Sequence, residues 1–321
     1  MRCEQNCSRS ESNDKFGVAH GVATAYGGSG AAPATVARPT LRGMRAWVNG
    51  QLLVDAREPA VAITDHGFTV GDGVFEAVKV VEGRPFALTR HLDRLVHSAH
   101  GMGLPPVDLD AVRRGIDAVL ASDEPALGRL RITYTGGPAP MGSGRGDEAP
   151  TLVVAVSAMP APAPSVGVVT VPWPRNERGP LAGLKTTSYG ENVVALAHAA
   201  ERGASEAIFG NLAGHVCEGT GTNVFYALDG ELRTPTLASG CLAGVTRALL
   251  LEWLADAGTP AREEDAPLEV LAAAEEVFVV STTRDVQPVH RVDDREWDVP
   301  GPLTAHAQQL WRAREAEQDD P

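Results

Sequence analysis

The stretch Gly183–Asn192, GLKTTSYGEN, holds one of only three lysines in a chain of 321 residues. The other two are Lys15 and Lys79, and the remaining 25 of the 28 basic residues are arginines. Arginine carries charge and forks onto carboxylates and phosphates, but it stays protonated and forms no Schiff base. A primary amine does both kinds of work. Lys185 has Leu181, Ala182 and Leu184 before it and Thr186, Thr187, Ser188 and Tyr189 after it. An amine in such a half-dry setting loses its proton more readily, because burial disfavours the charged form. It then serves as a nucleophile toward a carbonyl. The competing local reading is a solvated loop lysine, and the stretch alone leaves the two in balance. Ser188 and Glu191 make an S-x-x-E pattern, which predicts a capping box ahead of a helix over NVVALAHAAERG. The lysine then stands three residues before a helix start, at the end of a loop.

Outward from this stretch, the composition sets the class. With 43% hydrophobic and 21% charged residues the chain reads as globular, one large domain or two ordinary ones. A formal charge of −13 argues against a general nucleic-acid or anionic-membrane binder. No apolar run reaches the length of about 18 residues that suggests a membrane span. The four cysteines, Cys3, Cys7, Cys217 and Cys241, are scattered and make no disulfide framework. A reducing, cytoplasmic compartment is the expectation. No metal is expected, since the histidines include no H-x-x-x-H pair beside a suitable acid.

Residues 1–43 are rich in Ser, Gly, Ala and Pro, without hydrophobic period, and are expected to form a disordered extension. RAWVNGQLLV predicts a hairpin turning at Asn49-Gly50, and GVFEAVKVVEGRPFAL predicts two strands around Glu82-Gly83. TRHLDRLVHSAHGMG has Leu92, Leu95, Val96 and Ala99 at helical spacing, with Gly101 as the stop. A second helix covers DLDAVRRGIDAVLAS, and strands follow at GRLRITYT and TLVVAVSAM. The alternating PAPAPS is a stiff connector. It places an N-terminal domain at 44–159, a linker at 160–166 and a C-terminal domain at 167–321. The second half opens on the strand VGVVTVPW. EAIFG, HVCEG and TNVFYALDGELRTP then read as antiparallel strands with an Asp229-Gly230 turn. CLAGVTRALLLEWLADAG reads as a helix, and EEVFVVSTTRDVQPV as a buried strand running into a polar turn. The order is neither alternating βαβ nor all-β, so the expected class is α+β.

Three features carry chemistry besides Lys185. AGVTRALLLEWL puts Gly244, Val245 and Thr246 at a helix start, where free N–H groups and the helix dipole favour a phosphate. VVSTTRD adds hydroxyls at a strand end, and Arg90 and Arg94, one helical turn apart, each have the reach to meet an anion. Taken singly, these are also ordinary caps and a solvated helix face. Glu218, in VCEGTGTNVF, is an acid among small and apolar residues, and a buried carboxylate needs a cationic partner. A protonated pyridine nitrogen is one such partner, a nearby arginine another. An amine, a phosphate cradle and an acid for a ring nitrogen together specify pyridoxal phosphate. Nucleotide motifs compete poorly: GDGVFE has only the first two glycines of a dinucleotide loop, and GSGRGD lacks the Gly-Lys-Ser/Thr of a P-loop. There is no G-x-S-x-G elbow.

Six segments now stand in order: DHGFTVGDGVFEAVKV, HLDRL, LKTTSYGEN, EGTGTNVF, LAGVTRALL and STTRDVQPV. In that order the chain resembles the class IV aminotransferases, the fold-type IV pyridoxal-phosphate enzymes. That group includes branched-chain and D-amino-acid aminotransferases and 4-amino-4-deoxychorismate lyases. The resemblance implies that Lys185 is the Schiff-base lysine and Glu218 the acid on the pyridine nitrogen. It implies that Arg94, rather than Arg90, binds the phosphate, with Val245 and Thr246 at the helix start and Thr282 at the other side. Tyr189 would line the cofactor face and Phe75 the substrate pocket. The implied fold is the two-domain α+β architecture of the D-amino-acid aminotransferases, with the cofactor between the domains. The implied assembly is a homodimer whose sites draw on both subunits. The implied activity moves an amino group between an amino acid and a 2-oxo acid. The alternative is a lyase releasing pyruvate and 4-aminobenzoate. D-amino-acid aminotransferases carry an R-x-H pair just after the strand matching RITYTGG, and GGPAPMGSGRGDE has none, which argues against that specificity. The lyases often have glycines around an arginine in this loop, and GSGRGD is similar, which puts Arg145 at the substrate pocket. STTRDVQPV is closer to the transaminases.

Overall fold

The computed structural model describes residues 43–121 and 125–321. Apart from Gly43, the expected N-terminal extension lies outside these residues, and Cys3, Cys7 and Lys15 with it. Strand β1 (Arg45–Val48) turns through Asn49 and Gly50, at φ 44° and 98°, into β2 (Gln51–Leu52). The short helix α1 (His66–Thr69) follows, its start capped by the Asp65 carboxylate, which accepts from the Gly67 N–H at 2.8 Å. Strands β3 (Gly73–Val81) and β4 (Arg84–Pro85) form a second hairpin around Glu82 and Gly83. Helices α2 (Leu88–Gly101) and α3 (Leu109–Leu120) and strands β5 (Leu127–Thr135) and β6 (Thr151–Ala158) complete the first half. The six strands pair antiparallel in the order β2-β1-β6-β5-β3-β4.

Strand alternation then sorts the side chains. Val74, Val78 and Val80 of β3 and Leu130 and Ile132 of β5 lie on one face. There they pack with Leu92, Leu95 and Ala99 of α2 and Val112, Ile116 and Val119 of α3. The intervening residues of β3 meet the second half of the chain. Phe75 lies against Tyr189, and Lys79 bonds Asp285 and Glu315.

The second half runs β7 (Val166–Arg175), α4 (Gly190–Glu201), β8 (Glu206–Asn211), β9 (Val216–Gly219), β10 (Asn223–Leu228) and β11 (Glu231–Thr234). It continues with α5 (Val245–Asp256), β12 (Arg262–Glu263), α6 (Val270–Ala273), β13 (Glu276–Ser281), β14 (Asp285–Val292), β15 (Arg295–Glu296) and α7 (Pro302–Glu317). The sheet order is β12-β11-β10-β13-β14-β7-β8-β9, with β15 on β14. The α+β class holds, and this sheet is mixed: β7 runs parallel to both β8 and β14. The polar turn expected after VFVVS is the bend of a hairpin whose second arm is β14. Pro288 and the charged residues around it hide that arm from strand patterning. Among the described residues no helix is long and apolar enough to cross a membrane.

Candidate active site

Lys185 belongs by sequence to the second half, yet its main chain is bonded to the first. Its N–H donates to Ser98 Oγ at 3.1 Å, and its carbonyl accepts from the Phe75 N–H at 3.0 Å. Thr186 bridges Val74, and the Thr187 N–H donates to the Gly73 carbonyl at 2.8 Å. The expected capping box does not form. Helix α4 starts at Gly190 with no side-chain cap. The Ser188 hydroxyl instead donates to the Gly71 carbonyl at 3.1 Å, and Glu191 accepts from Arg175 Nη1 at 3.1 Å. Tertiary partners have taken both groups that a local cap needs.

The Lys185 amine faces a cavity of about 570 Å³, which Arg94, Tyr189 and Glu218 also line. Val245, Thr246 and Thr282 close the same cavity at another wall. Lys185 Nζ lies 4.4 Å from the centre of the Phe75 ring, and the Tyr189 ring meets Phe75 edge-on at 5.2 Å. Phe75 therefore stands behind the lysine as its apolar support. Burial lowers the Lys185 pKa to about 8, with Arg94 and Arg131 adding to the shift and Glu76 and Glu218 opposing it. A minor fraction of the amine is thus unprotonated near neutral pH.

Glu218 projects from β9. Its Oε2 accepts from the Leu242 N–H at 2.9 Å, and its Oε1 lies 3.5 Å from Arg175 Nε. Burial pushes its carboxyl up, against the pull of Arg175 and the Leu242 N–H. Arg175 was not legible as a site residue: it reads as one arginine in a polar loop. The β7–β8 register sets it opposite Asn211, with its guanidinium over the Phe209 ring at 4.0 Å.

Arg94, on α2, reaches the carbonyl of Ala243 at 3.0 Å, just before α5. Gly244 caps α5 without any side-chain bond, so the first N–H groups of that 12-residue helix are free for an anion. A β-carbon at Gly244 would lie 2.0 Å from Asn223 Oδ1, so only glycine allows this approach. Arg94 is oriented from behind by Glu76, a fully buried acid that strand alternation turns toward α2. Burial raises the Glu76 pKa, but Arg94 and His91 outweigh it and hold the group near 2. His91 Nδ1 lies 2.7 Å from Glu76, and its Nε2 lies 3.4 Å from the Thr282 hydroxyl. Neither Glu76 nor His91 was singled out in the sequence, where they sit inside an ordinary strand and an ordinary helix.

Two expected pocket residues, Phe75 and Arg145, are not on the cavity wall, and Phe75 lies instead behind Lys185. Arg90 is bound at the surface by Glu252, with both contacts at 2.8 Å, and it is not on that wall either. Asp72 holds the Arg145 guanidinium at 2.7 and 2.6 Å, and the Met102 carbonyl accepts from it at 2.7 Å. That carboxylate, with its own pKa lowered by Arg145, anchors the arginine within the first half of the chain. Arg131 is likewise off the cavity wall, 3.9 Å from the Phe75 ring centre. Its one side-chain bond is to Thr133, and among the described residues it has no acidic partner.

The donor set fits pyridoxal phosphate. A free helix start beside a guanidinium and hydroxyls suits a phosphate, a depressed amine suits an aldehyde, and a carboxylate suits a ring nitrogen. The comparisons agree. Residues 73–292 match the family described as amino-transferase class IV. A bifunctional aminodeoxychorismate lyase / D-amino acid transaminase of Mycobacterium tuberculosis is 31% identical over 267 residues, 74% of this chain and 87% of that protein. A fold IV-transaminase structure from Curtobacterium pusillum superposes with a TM-score of 0.75 at 31% identity, covering 86% of this chain and 100% of that one. The structure of a hypothetical aminotransferase from Mycobacterium tuberculosis in a pyridoxal-phosphate-bound form gives a TM-score of 0.75 at 29% identity, covering 84% of this chain and 98% of that one. With its six ordered segments, one antiparallel and one mixed sheet, and its cavity, the chain belongs to the class IV aminotransferases, pyridoxal-phosphate enzymes of fold type IV.

Proposed function

We propose that this enzyme transfers an amino group between an amino acid and a 2-oxo acid, with Lys185 as the residue that holds the cofactor and moves the substrate proton. The observation that carries the reading is the Lys185 amine, lowered to about pH 8, sharing one cavity with Glu218 and the free start of α5. When bound, pyridoxal phosphate supplies an aldehyde for amines and a ring that takes up the charge left on the substrate carbon. Arg94, the Val245 and Thr246 N–H groups and the Thr282 hydroxyl hold the phosphate. Glu218 keeps a proton on the ring nitrogen, and Tyr189 lines the ring. Lys185 would hold the aldehyde and, when its amine is free, would take the Cα proton and return it as general base and acid. Arg131, without an acidic partner beside Phe75, offers a cation to the substrate carboxylate.

The site then sits between an N-terminal domain of 44–159 and a C-terminal domain of 167–321. The assembly in this reading is a homodimer in the cytoplasm. The test incubates the protein separately with amino-acid/2-oxo-acid pairs and with aminodeoxychorismate, following new amino acid, pyruvate and 4-aminobenzoate. Amino transfer is expected. Release of pyruvate and 4-aminobenzoate with no amino transfer would overturn the reading in favour of the lyase.

A further inference from the structure

Helix α2 contacts both the start of α5, through Arg94, and the backbone of the lysine segment, through Ser98. Arg94 and Ser98 are one turn apart on the same face, about 6 Å along the axis. Arg94 reaches the start of α5, where the phosphate is read to sit, and Ser98 accepts the Lys185 N–H. Ser98 is wholly buried, so its hydroxyl oxygen is the acceptor that replaces water for that N–H. One turn further on, Gly101 meets the residue before the lysine. A β-carbon there would stand 2.6 and 2.9 Å from the two methyl carbons of Leu184. Gly101 is helical, and the left-handed exit from α2 is made by Gly103 at φ +64°. Glycine at 101 therefore serves close approach, not backbone conformation. The remaining main-chain group of Lys185, its carbonyl, is bonded to Phe75 of β3.

We propose that α2 is the ruler that sets the distance between the phosphate anchor and the reactive amine, with Ser98 and Gly101 as the residues that position Lys185. The inference rests on the reading of Lys185 as the cofactor-bearing lysine. Under it, the lysine is registered by the same rigid helix that presents Arg94, although more than 80 residues of chain separate them. Loss of the Ser98 acceptor leaves a buried N–H without a partner, and the lysine main chain moves to find one. Extra volume at Gly101 displaces the Leu184 side chain, next to the lysine.

The test uses full-length protein stripped of cofactor and then given pyridoxal phosphate. The captured cofactor is fixed with borohydride and the modified lysine mapped. Ser98→Ala and Gly101→Ala are each expected to slow covalent capture about tenfold, the scale of a misplaced reacting group, and to move the pH midpoint of capture. Affinity for 4-deoxypyridoxine phosphate, which has the phosphate but no aldehyde, is expected to stay unchanged in both. Ser98→Thr, which restores the acceptor, is expected to recover the capture rate. Wild-type capture rate and midpoint in both alanine variants would overturn the proposal. So would an equal loss of affinity for the aldehyde-free analogue, since a general packing defect weakens both. Mapping of the wild-type label to Lys15 or Lys79 would instead remove the underlying reading of Lys185.

Discussion

Arg94 lays two nitrogens on the buried carboxylate of Glu76, Nε at 2.8 Å from Oε1 and Nη2 at 2.7 Å from Oε2. Each group is the answer to the other's burial. The acid needs a cation because water cannot reach it, and the arginine is aimed at the cavity because the acid fixes its fork.

Removal of Arg94 is therefore expected to do two things. Arg94→Ala strands the Glu76 carboxylate and should destabilise the cofactor-free protein by about 3–5 kcal/mol. It should also weaken cofactor retention. Glu76→Gln added to Arg94→Ala removes the stranded charge, so it should recover much of the stability and none of the retention. Arg90→Ala breaks a surface pair and should cost at most about 1 kcal/mol, with cofactor retention kept. Urea unfolding and equilibrium dialysis measure the two effects separately. Equal cofactor loss in the Arg90 and Arg94 variants would remove Arg94 from the phosphate.

The Lys185 amine is expected to fix the pH dependence of cofactor capture. With its pKa near 8, the fraction of free amine rises about tenfold per pH unit below that value and levels off above it. Stopped-flow absorbance should show the capture rate following this curve. The stability sign is the reverse of the usual ion-paired lysine. The folded value lies below the ordinary 10.5. The cost of burying the charge is thus fully present below pH 8 and is relieved as pH rises from 8 to 10.5. Lys185→Met should accordingly raise the stability of the cofactor-free protein at neutral pH, by on the order of 2 kcal/mol, while abolishing capture.

Lys79 should behave as the structural opposite. It is buried against Asp285 at 2.7 Å and Glu315 at 2.6 Å, and so ties the first sheet to β14 and α7. Burial raises both of those acids, against the pull of the lysine. Lys79→Ala leaves the two carboxylates facing each other and should cost about 3–5 kcal/mol in urea unfolding. Borohydride labelling of Lys185 in the folded fraction should be unaffected.

Arg131 separates substrate binding from cofactor binding. Arg131→Ala should lower kcat/KM for amino acids about 10- to 100-fold, the worth of a charge-assisted hydrogen bond to a carboxylate, with cofactor affinity unchanged. Because Arg131 helps to depress the Lys185 amine, the capture midpoint should also move upward. A variant with wild-type kcat/KM would show that the carboxylate binds elsewhere.

Much of this was legible in the chain because it is local. Asn49-Gly50 and Asp229-Gly230 turn where their positive φ values require, and Gly244 and Val245 open α5 as the helix-start pattern predicts. Lys185, Glu218 and the glycine-led α5 start stand out by residue type and spacing, and they line one cavity. What the sequence could not show is which groups would claim one another across the fold. Ser188 and Glu191 look like a capping box until Gly71 and Arg175 take them, and Arg145 looks free until Asp72 binds it. Gly101 looks like a helix stop, and its closeness to Leu184 appears only when α2 lies on the lysine segment. Glu76, His91, Arg131 and Arg175 carry no local signal, because their roles depend on strand register and helix docking. By itself the sequence determined which reactive groups exist and which short turns and helices carry them, since those depend on neighbours along the chain. The tertiary structure alone decided which groups are paired, which are left to meet a ligand, and how far the Lys185 amine stands from Arg94. Those outcomes are set by burial and by contacts between residues distant in sequence.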